Sequence, residues 1–254
     1  MARRERARYG VDGGWVAIPL FVSLLGGLVA ALLRARRNQR RGPARLAGLA
    51  IVTVAAFEAS YLYSTGPGKR SVWSELLDHL DLHGDEQVLD VGCGRGAVLV
   101  LAARRLSEGR AVGADIWRRR DQSGNSRTST ERNAACEGVG ERVELVEADA
   151  RALPFPTGLF DVVLSNLTFH NIRHADERAQ ALREAARVLG PGGRLRIVDH
   201  GAARYAEVLR AAGCDGVSVR KLDWRTWFGL PGHHLDLLIA SKPTSAHSGS
   251  VATT

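Results

Sequence analysis

Apolar and polar positions change their period along this chain, and the change predicts an α/β fold from residue 87 onward. Short apolar runs of strand length alternate there with stretches whose apolar positions have helical spacing. Four of the runs end in small or polar side chains, and these are residues 88–91, 110–114, 143–147 and 160–166. Two later runs, residues 216–222 and 235–241, predict an antiparallel pair at one edge of the sheet. Strands that alternate with helices favour a doubly wound, mostly parallel sheet.

The first third of the chain has a different pattern, in which long apolar stretches are separated by arginines. Residues 13–33 carry no charged side chain, and a helix of that length spans about 31 Å, enough for a bilayer core. Residues 46–63 form a second apolar stretch that is interrupted by Glu58. The pattern predicts one or two membrane helices, and a cleaved signal peptide or a buried soluble helix is the alternative. Arginines between the stretches leave the topology open between two spans, one span and a shallow hairpin.

Charge is distributed unevenly between these two parts of the chain. The whole chain has a net charge of +8. Residues 1–70 hold 12 basic and 3 acidic side chains, whereas the remainder holds 23 and 24. A basic N-terminal segment suits an anionic membrane surface, and a near-neutral remainder disfavours nucleic acid as a partner. The three cysteines, Cys93, Cys136 and Cys214, have the spacing of neither a metal site nor a disulfide framework, so we expect no metal.

The first apolar run leads into a glycine-rich turn, D-V-G-C-G-R-G at residues 90–96, and an apolar helical stretch follows. Such a turn lets a ligand lie against bare backbone at a helix N-terminus. Its G-x-G-x-G spacing differs from that of phosphate-binding loops, and no lysine follows the glycines. Asp115 ends the second run, where a carboxylate suits the two hydroxyls of a ribose. These features predict a nucleotide or nucleoside site at the carboxyl edge of the sheet.

Several motifs together resemble those of class I methyltransferases that depend on S-adenosylmethionine (SAM) and act on small molecules. They are VLDVGCGRG at residues 88–96, GADIW at 113–117, EADARALPFPTGLFDVVLSNLTFHNI at 147–172 and the helix, turn and strand at 183–195. The resemblance covers about residues 71–243. It implies a Rossmann-like, seven-stranded, mostly parallel sheet with helices on both faces, and SAM as the cofactor.

The resemblance assigns most of the candidate residues to cofactor binding. It implies that Asp90 anchors the amino group of the donor, directly or through water. The glycines Gly92, Gly94 and Gly96 let backbone approach the carboxylate and ribose, and Asp115 holds the ribose hydroxyls. Either aspartate could instead cap a helix or hold a turn.

Other cofactor contacts are expected after the second and third strands. The resemblance places Ile116 and Trp117 beside the carboxylate of Asp115, which binds the ribose, and Trp117 is able to stack on adenine. Asp149 accepts from the adenine amino group, and the amide of Ala150 donates to the ring. As for the other aspartates, a turn or capping role for Asp149 is the alternative.

The acceptor side of the site is expected after the fourth strand. Asn166 can orient either the cofactor or the acceptor. His170 can act as a general base, and a loop histidine that bonds to backbone is an equal alternative. Enzymes that methylate the amino groups of bases carry an Asn/Asp-Pro-Pro-aromatic turn at this place. The chain has N-L-T-F at residues 166–169 instead, which disfavours a nucleic-acid substrate.

Two polar or aromatic loops are candidate lids over the site. Residues 117–126 form a long polar insertion after the second strand. Residues 223–232 contain two tryptophans and a phenylalanine, which are unfavourable when fully exposed. We expect this second loop, and Trp227 in particular, to cap the acceptor pocket, unless the aromatic side chains dip into lipid.

The chain therefore divides into three predicted parts. Residues 1–68 form a basic membrane segment, with helices at about 13–33 and 46–63 and a linker rich in glycine and proline. Residues 69–243 form the methyltransferase domain, and residues 244–254 a disordered tail.

The sequence predicts a methyltransferase attached to the plasma membrane, with its catalytic domain in the cytosol. It is expected to transfer a methyl group from SAM to a small, lipophilic acceptor, with membrane lipids as partners of its N-terminal segment. A methyltransferase acting on protein or nucleic acid and a non-catalytic SAM-binding regulator at the membrane are the alternatives.

Overall fold

A computed structural model describes residues 6–12, 14–230 and 232–244 of the chain, without the side chains of residues 14–18. The tail that we expected to be disordered lies outside these residues from position 245 onward.

A seven-stranded sheet in the order β3-β2-β1-β4-β5-β7-β6 forms the centre of the fold. The strands β1 to β7 are Gln87–Val91, Arg110–Asp115, Val143–Glu147, Phe160–Asn166, Leu189–Asp199, Asp215–Lys221 and Asp236–Ser241. Neighbours from β3 to β5 run parallel, whereas β7 is antiparallel to both β5 and β6. The predicted fold class and the antiparallel edge pair are both confirmed.

Helices cover both faces of the sheet. The helices α1 to α7 are Gly14–Arg37, Arg41–Tyr63, Lys69–Asp78, Ala97–Ala103, Arg127–Cys136, Ala175–Val188 and Ala206–Ala211. Adjacent residues of β4 face opposite sides: Val162 packs with the cluster under α3 and α4, and Val163 with the cluster under α6 and α7. Because both faces are buried, the parallel strands read as continuous apolar runs rather than alternating ones.

The first two helices form an antiparallel hairpin. Phe21, near the start of α1, packs against Phe57 and Tyr61, near the end of α2, with ring centroids 5.2 and 5.8 Å apart. Much of the rest of the hairpin is exposed and apolar. Residues 19–37 and residues 41–78 are long and apolar enough to cross a membrane, which by length and composition alone is weak support for a membrane helix.

The segment expected to be a linker after this hairpin is helical. Ser64–Gly68 continues α2 as a single π-helical turn, and α3 begins at Lys69 without a break. Gly68 serves close packing rather than flexibility, because a Cβ there would lie 2.5 Å from the backbone oxygen of Arg225. The π turn also accommodates Pro67, which has no N–H for the helical ladder. The predicted division at residues 68 and 69 thus falls inside a continuous helical segment.

Candidate active site

The candidate residues meet at one edge of the sheet because β1 to β4 are parallel and their carboxyl ends lie side by side. The glycine turn after β1 brings bare backbone to this edge. Gly92 has a φ of 72°, and a Cβ there would lie 2.1 Å from the hydroxyl oxygen of Thr168. At Gly94 a Cβ would lie 2.7 Å from the amide oxygen of Gln122. Both glycines have a positive φ, 72° and 54°, and a Cβ at either would displace a neighbouring side chain, which explains glycine at these two positions.

A cavity of about 640 Å³ opens beside this turn, a volume in the range of small-ligand sites. Its wall contains most of the residues predicted from the sequence, namely Asp90, Gly92, Gly94, Asp115, Ile116, Asp149, Ala150, Asn166 and His170. Two predicted residues lie outside the lining. Gly96 begins α4 in the left-handed conformation beside Thr130. Trp117 lies behind the glycine turn, where its indole N–H donates to the carbonyl of Gly94 at 3.1 Å.

Asp90 is the most unusual group in the cavity wall. Its side chain is 1 % exposed, and neither carboxylate oxygen has a hydrogen-bond partner among the described residues. Burial, followed by the negative charge of Asp115, raises the pKa of Asp90 to about 7, and the positive charge of Lys69 opposes this shift. A buried, unpartnered carboxylate is unfavourable, so the site fits a cationic group such as the amino group of SAM.

Asp115 organises the turn as well as facing the cavity. One of its oxygens accepts from the backbone N–H of Gly94 at 2.7 Å, and the other from that of Trp117 at 2.5 Å. Burial raises the pKa of this carboxyl above its ordinary value, and the two backbone hydrogen bonds oppose the shift. Each carboxylate oxygen can accept more than one hydrogen bond. The geometry therefore leaves capacity for the two ribose hydroxyls.

Asp149 lines the cavity, but its carboxylate is paired with a neighbouring arginine, which the sequence did not predict. The guanidinium of Arg151 binds both of its oxygens, at 3.0 and 2.6 Å. This pairing lowers the pKa of Asp149. Ala150 lines the same part of the cavity. The carboxylate assigned to the adenine amino group thus already has a strong partner.

The acceptor side is built around a histidine and a buried carboxylate. Nδ1 of His170 lies 2.6 Å from Oδ1 of Asp199, and the backbone N–H of His170 donates to Oδ2 at 3.0 Å. Asp199 is fully buried at the end of β5. Nearby, the amide oxygen of Asn166 accepts from the indole N–H of Trp73 at 2.7 Å. The sequence analysis identified neither Asp199 nor Trp73.

Two further histidines continue from His170, His200 beside it and His233 beside His200. The ring of His200 lies 5.1 Å from that of His170 and 5.3 Å from that of His233. Burial, and then the neighbouring His170, lowers the pKa of His200. Within the ranges that the structure covers, no group of three potential ligands has the arrangement of a metal site. These rings instead give the acceptor region a mixed aromatic and polar wall.

Residues from the N-terminal part complete the cavity on its open side. Asp12, Tyr61 and Lys69 all line it. The ammonium of Lys69 lies 2.8 Å from Oδ2 of Asp12, and the amide of Gln122 donates to Oδ1 at 3.0 Å. The hydroxyl of Tyr61 donates to the backbone carbonyl of Asp12. Sequence reasoning places Asp12 and Tyr61 in a separate membrane segment and Lys69 at the start of the methyltransferase domain, and it assigns none of the three to the site.

The two candidate lids make different contacts with the site. The insertion at 117–126 contributes Gln122, whose amide oxygen accepts from the backbone N–H of Arg95 in the glycine turn at 2.9 Å. In the second loop Phe228, not Trp227, lines the cavity. The indole of Trp227 packs on His234 instead, with Nε1 3.3 Å from Nδ1 of the imidazole. The role expected of Trp227, capping the acceptor pocket, therefore suits its neighbour Phe228 better.

Comparison with known proteins agrees with this geometry. Residues 89–197 match a family described as "Methyltransferase domain". The 27-O-demethylrifamycin SV methyltransferase of Amycolatopsis mediterranei (strain S699) is 34% identical over 155 residues, which cover 58% of this chain and 53% of that protein. The ubiquinone/menaquinone biosynthesis C-methyltransferase UbiE of Hahella chejuensis (strain KCTC 2396) is 34% identical over 134 residues, covering 52% of this chain and 50% of that protein.

Solved structures show the same fold. A geranyl diphosphate methyltransferase in complex with SAM superimposes with a TM-score of 0.53 at 18% identity, covering 68% of this chain and 85% of that one. The chain spans about half the length of the curated relatives it matches. The matched motifs, the strand order and the unpartnered Asp90 at the glycine turn lead to one conclusion. Residues 89–197 are a methyltransferase domain, and the site beside its glycine turn fits SAM as the cofactor.

Proposed function

We propose that this protein transfers a methyl group from SAM to a small, lipophilic acceptor at a membrane surface. One observation carries the proposal: the cavity and the apolar hairpin share a wall. Tyr61 of α2 and Phe228 both line the cavity, and their rings pack edge to face with centroids 5.8 Å apart. An acceptor that partitions into lipid around the hairpin would reach the cavity along this aromatic contact.

The hairpin has the surface of a membrane-attached element. Its exposed apolar side chains include Leu46 and Leu49, which are 70% and 65% exposed. An apolar surface of this extent is unfavourable in water. The arginines at its tip are all exposed and suit anionic headgroups; they are Arg34, Arg36, Arg37, Arg40, Arg41 and Arg45. Lipid is therefore the environment that best fits both surfaces.

The chemistry needs mainly positioning from this chain. SAM, when bound, supplies a methyl group already activated on a sulfonium. Asp90 and Asp115 would bind its amino group and ribose, and the aromatic side chains would help to exclude water once both ligands are bound. With a hydroxyl acceptor, His170 would accept the hydroxyl proton on Nε2. Asp199 holds Nδ1 and stabilises the resulting imidazolium.

The similarity to named relatives supports a small acceptor. One relative is named for a rifamycin and another for ubiquinone and menaquinone biosynthesis. Both names denote small molecules rather than macromolecules. A near-neutral charge over residues 71–254, with 23 basic and 24 acidic side chains, is in keeping with this.

The test is a labelling experiment with the full chain in detergent or vesicles, methyl-labelled SAM and a lipid extract of the source cells. We expect label in the organic phase with the wild-type protein and much less with Asp115→Ala when SAM is kept below the wild-type Kd. Label only in protein or nucleic acid would contradict the proposal. Normal SAM binding without label in any fraction would favour a non-catalytic regulator.

A further inference from the structure

Lys69 is a buried cation in the wall of the cofactor cavity, and no motif of the family match includes it. Its side chain is 6% exposed, and its ammonium lies 2.8 Å from Oδ2 of Asp12. That carboxylate is the one hydrogen-bond partner of the Lys69 ammonium among the residues that the structure covers. Both side chains line the cavity. A buried ammonium requires a negative partner, and Asp12 supplies it in this structure.

The position of Lys69 along the sheet edge identifies its end of the cavity. The strand order puts Asp149 after β3 at one end, then Asp115 on β2, then Asp90 on β1. Lys69 lies beyond these, because it and Asn166 of β4 line the same smaller pocket, and β4 is the next strand after β1 in the sheet. Lys69 is therefore far from the adenine end and on the side of Asp90.

Asp90 and Lys69 carry opposite charges but do not hydrogen-bond to each other. The carboxylate of Asp90 is unpartnered, and the charge of Lys69 is close enough to lower its pKa. An amino acid presents the complementary arrangement, an ammonium and a carboxylate on one carbon. The carboxylate of Asp12 has the same charge and shape as the one an amino acid would bring.

We propose that Lys69 binds the α-carboxylate of the methionine portion of SAM, and that Asp12 occupies that position until the cofactor binds. Loading the cofactor thus exchanges one carboxylate for another on the same ammonium. The inference rests on the SAM site described above, but on neither the acceptor nor the membrane.

The exchange has a structural consequence for residues 6–12, which we call the N-terminal strap. Asp12 is held at its carboxylate by Lys69 and Gln122 and at its carbonyl by Tyr61. The strap is also held independently, because the backbone N–H of Arg8 donates to Asn133 at 2.8 Å. Loss of the Lys69 contact therefore loosens the end of the strap next to α1 and leaves its beginning in place.

The experiment measures the affinity of the purified full chain for SAM and for decarboxylated SAM, which keeps the amine and sulfonium but lacks the carboxylate. We expect the wild type to prefer SAM by about 10- to 100-fold, the range for one charge-assisted hydrogen bond. In Lys69→Met the preference should disappear, with decarboxylated SAM bound as before. Equal loss of both affinities would overturn the proposal, and failure of the wild type to bind either ligand would also remove the SAM site.

Asp12→Asn is the second variant and keeps the lysine intact. If Asp12 competes with the cofactor, this change should raise the affinity for SAM several-fold and leave that for decarboxylated SAM unchanged. A lowered melting temperature with unchanged affinity for SAM would mean a merely structural ion pair and would contradict the exchange. This arm remains decisive if Lys69→Met does not fold.

A third readout follows the N-terminal strap itself. Hydrogen exchange of residues 9–12 should increase when S-adenosylhomocysteine is bound and stay constant with 5′-methylthioadenosine, which lacks the amino acid portion. Equal protection with both ligands would contradict release of Asp12.

Discussion

Nδ1 of His170 lies 2.6 Å from Oδ1 of Asp199, a carboxylate with no solvent exposure. The contact fixes the ring orientation and leaves Nε2 as the nitrogen that can exchange a proton with a ligand in the cavity. The arrangement favours the general-base role of His170 over that of a loop histidine bonded to backbone, two roles that the sequence left equal.

Replacing His170 by glutamine should lower kcat by about 10²- to 10⁴-fold, the usual contribution of a general base. Asp199→Asn keeps the shape of the side chain and should lower kcat less, because the ring of His170 loses its charged partner but not its contact. Affinity for S-adenosylhomocysteine should be unchanged in both. The matched control is His174→Gln, at an exposed position before α6. Unchanged kcat in His170→Gln would show that the acceptor needs no base.

Asp90 should make cofactor binding depend on pH. Its pKa of about 7 means that the carboxyl is largely protonated below neutrality in the cofactor-free protein. A protonated carboxyl cannot pair with the amino group of the cofactor. Affinity for S-adenosylhomocysteine, measured by calorimetry, should therefore fall up to about tenfold per pH unit below 7. The dependence should flatten in Asp90→Asn; an unchanged slope in that variant would assign the titration to another group.

The same carboxyl should make the cofactor-free protein less stable as pH rises. Because its pKa is raised on folding, the native state holds more protons than the unfolded chain between about pH 4 and 7. The free energy of unfolding therefore decreases through that window. Asp90→Asn should remove this decrease and should melt higher than the wild type at pH 8 but not at pH 5. Equal melting temperatures at pH 8 would contradict the shift.

Asp115 and Asp149 should contribute unequally to cofactor affinity. Asp115 organises the turn and keeps capacity for ribose, so Asp115→Ala should weaken S-adenosylhomocysteine by about tenfold or more. Asp149 is engaged by Arg151 and partly exposed, so Asp149→Ala should cost less than about threefold. The reverse order would mean that Arg151 releases Asp149 to the adenine.

Phe228 should govern the acceptor rather than the cofactor. Phe228→Ala removes an aromatic ring from the cavity wall and from its contact with Tyr61. We expect KM for the acceptor to rise and the affinity for S-adenosylhomocysteine to stay the same. Trp227→Ala is the matched control in the same loop, since Trp227 packs on His234 instead. Equal effects of both substitutions would point to loop stability rather than to acceptor contact.

Vesicle flotation should test the hairpin. The full chain should float with vesicles containing phosphatidylglycerol and less with phosphatidylcholine alone. Replacing exposed Leu46 and Leu49 by aspartate should lower partitioning by at least about 100-fold, since each buried leucine contributes about 1.5–3 kcal/mol. Leu159→Asp, exposed on the catalytic domain, should have no effect. Flotation that survives the hairpin changes would place the membrane contact elsewhere.

The sequence predicted the sheet edge well because strand ends are local features. Asp90, Asp115 and Asn166 each lie at or near the end of an apolar run, and parallel strands bring such ends together whatever the loops do. The antiparallel edge followed from the same periodicity. What was predicted is thus what a window of about ten residues can specify.

The rest of the site depends on contacts that no local window contains. Asp12 meets Gln122 across 110 positions, and Lys69 reaches the cavity from a helical segment that runs on through Gly66, Pro67 and Gly68. Those residues normally indicate a break; here Gly68 is selected by the approach of a neighbouring backbone. Asp199 ends a buried strand without a motif of its own, so its partnership with His170 appears only in three dimensions.

The unbroken passage from α2 into α3 has a practical consequence for handling the protein. Removing residues 1–68 to obtain a soluble fragment would keep the whole stretch matched to the family, residues 89–197. It would also delete Asp12 and Tyr61 from the cavity wall and leave the Lys69 ammonium without its partner. Truncation would thus create a different binding site rather than a smaller version of the same enzyme. The hairpin and the cavity have to be expressed, purified and engineered as one unit.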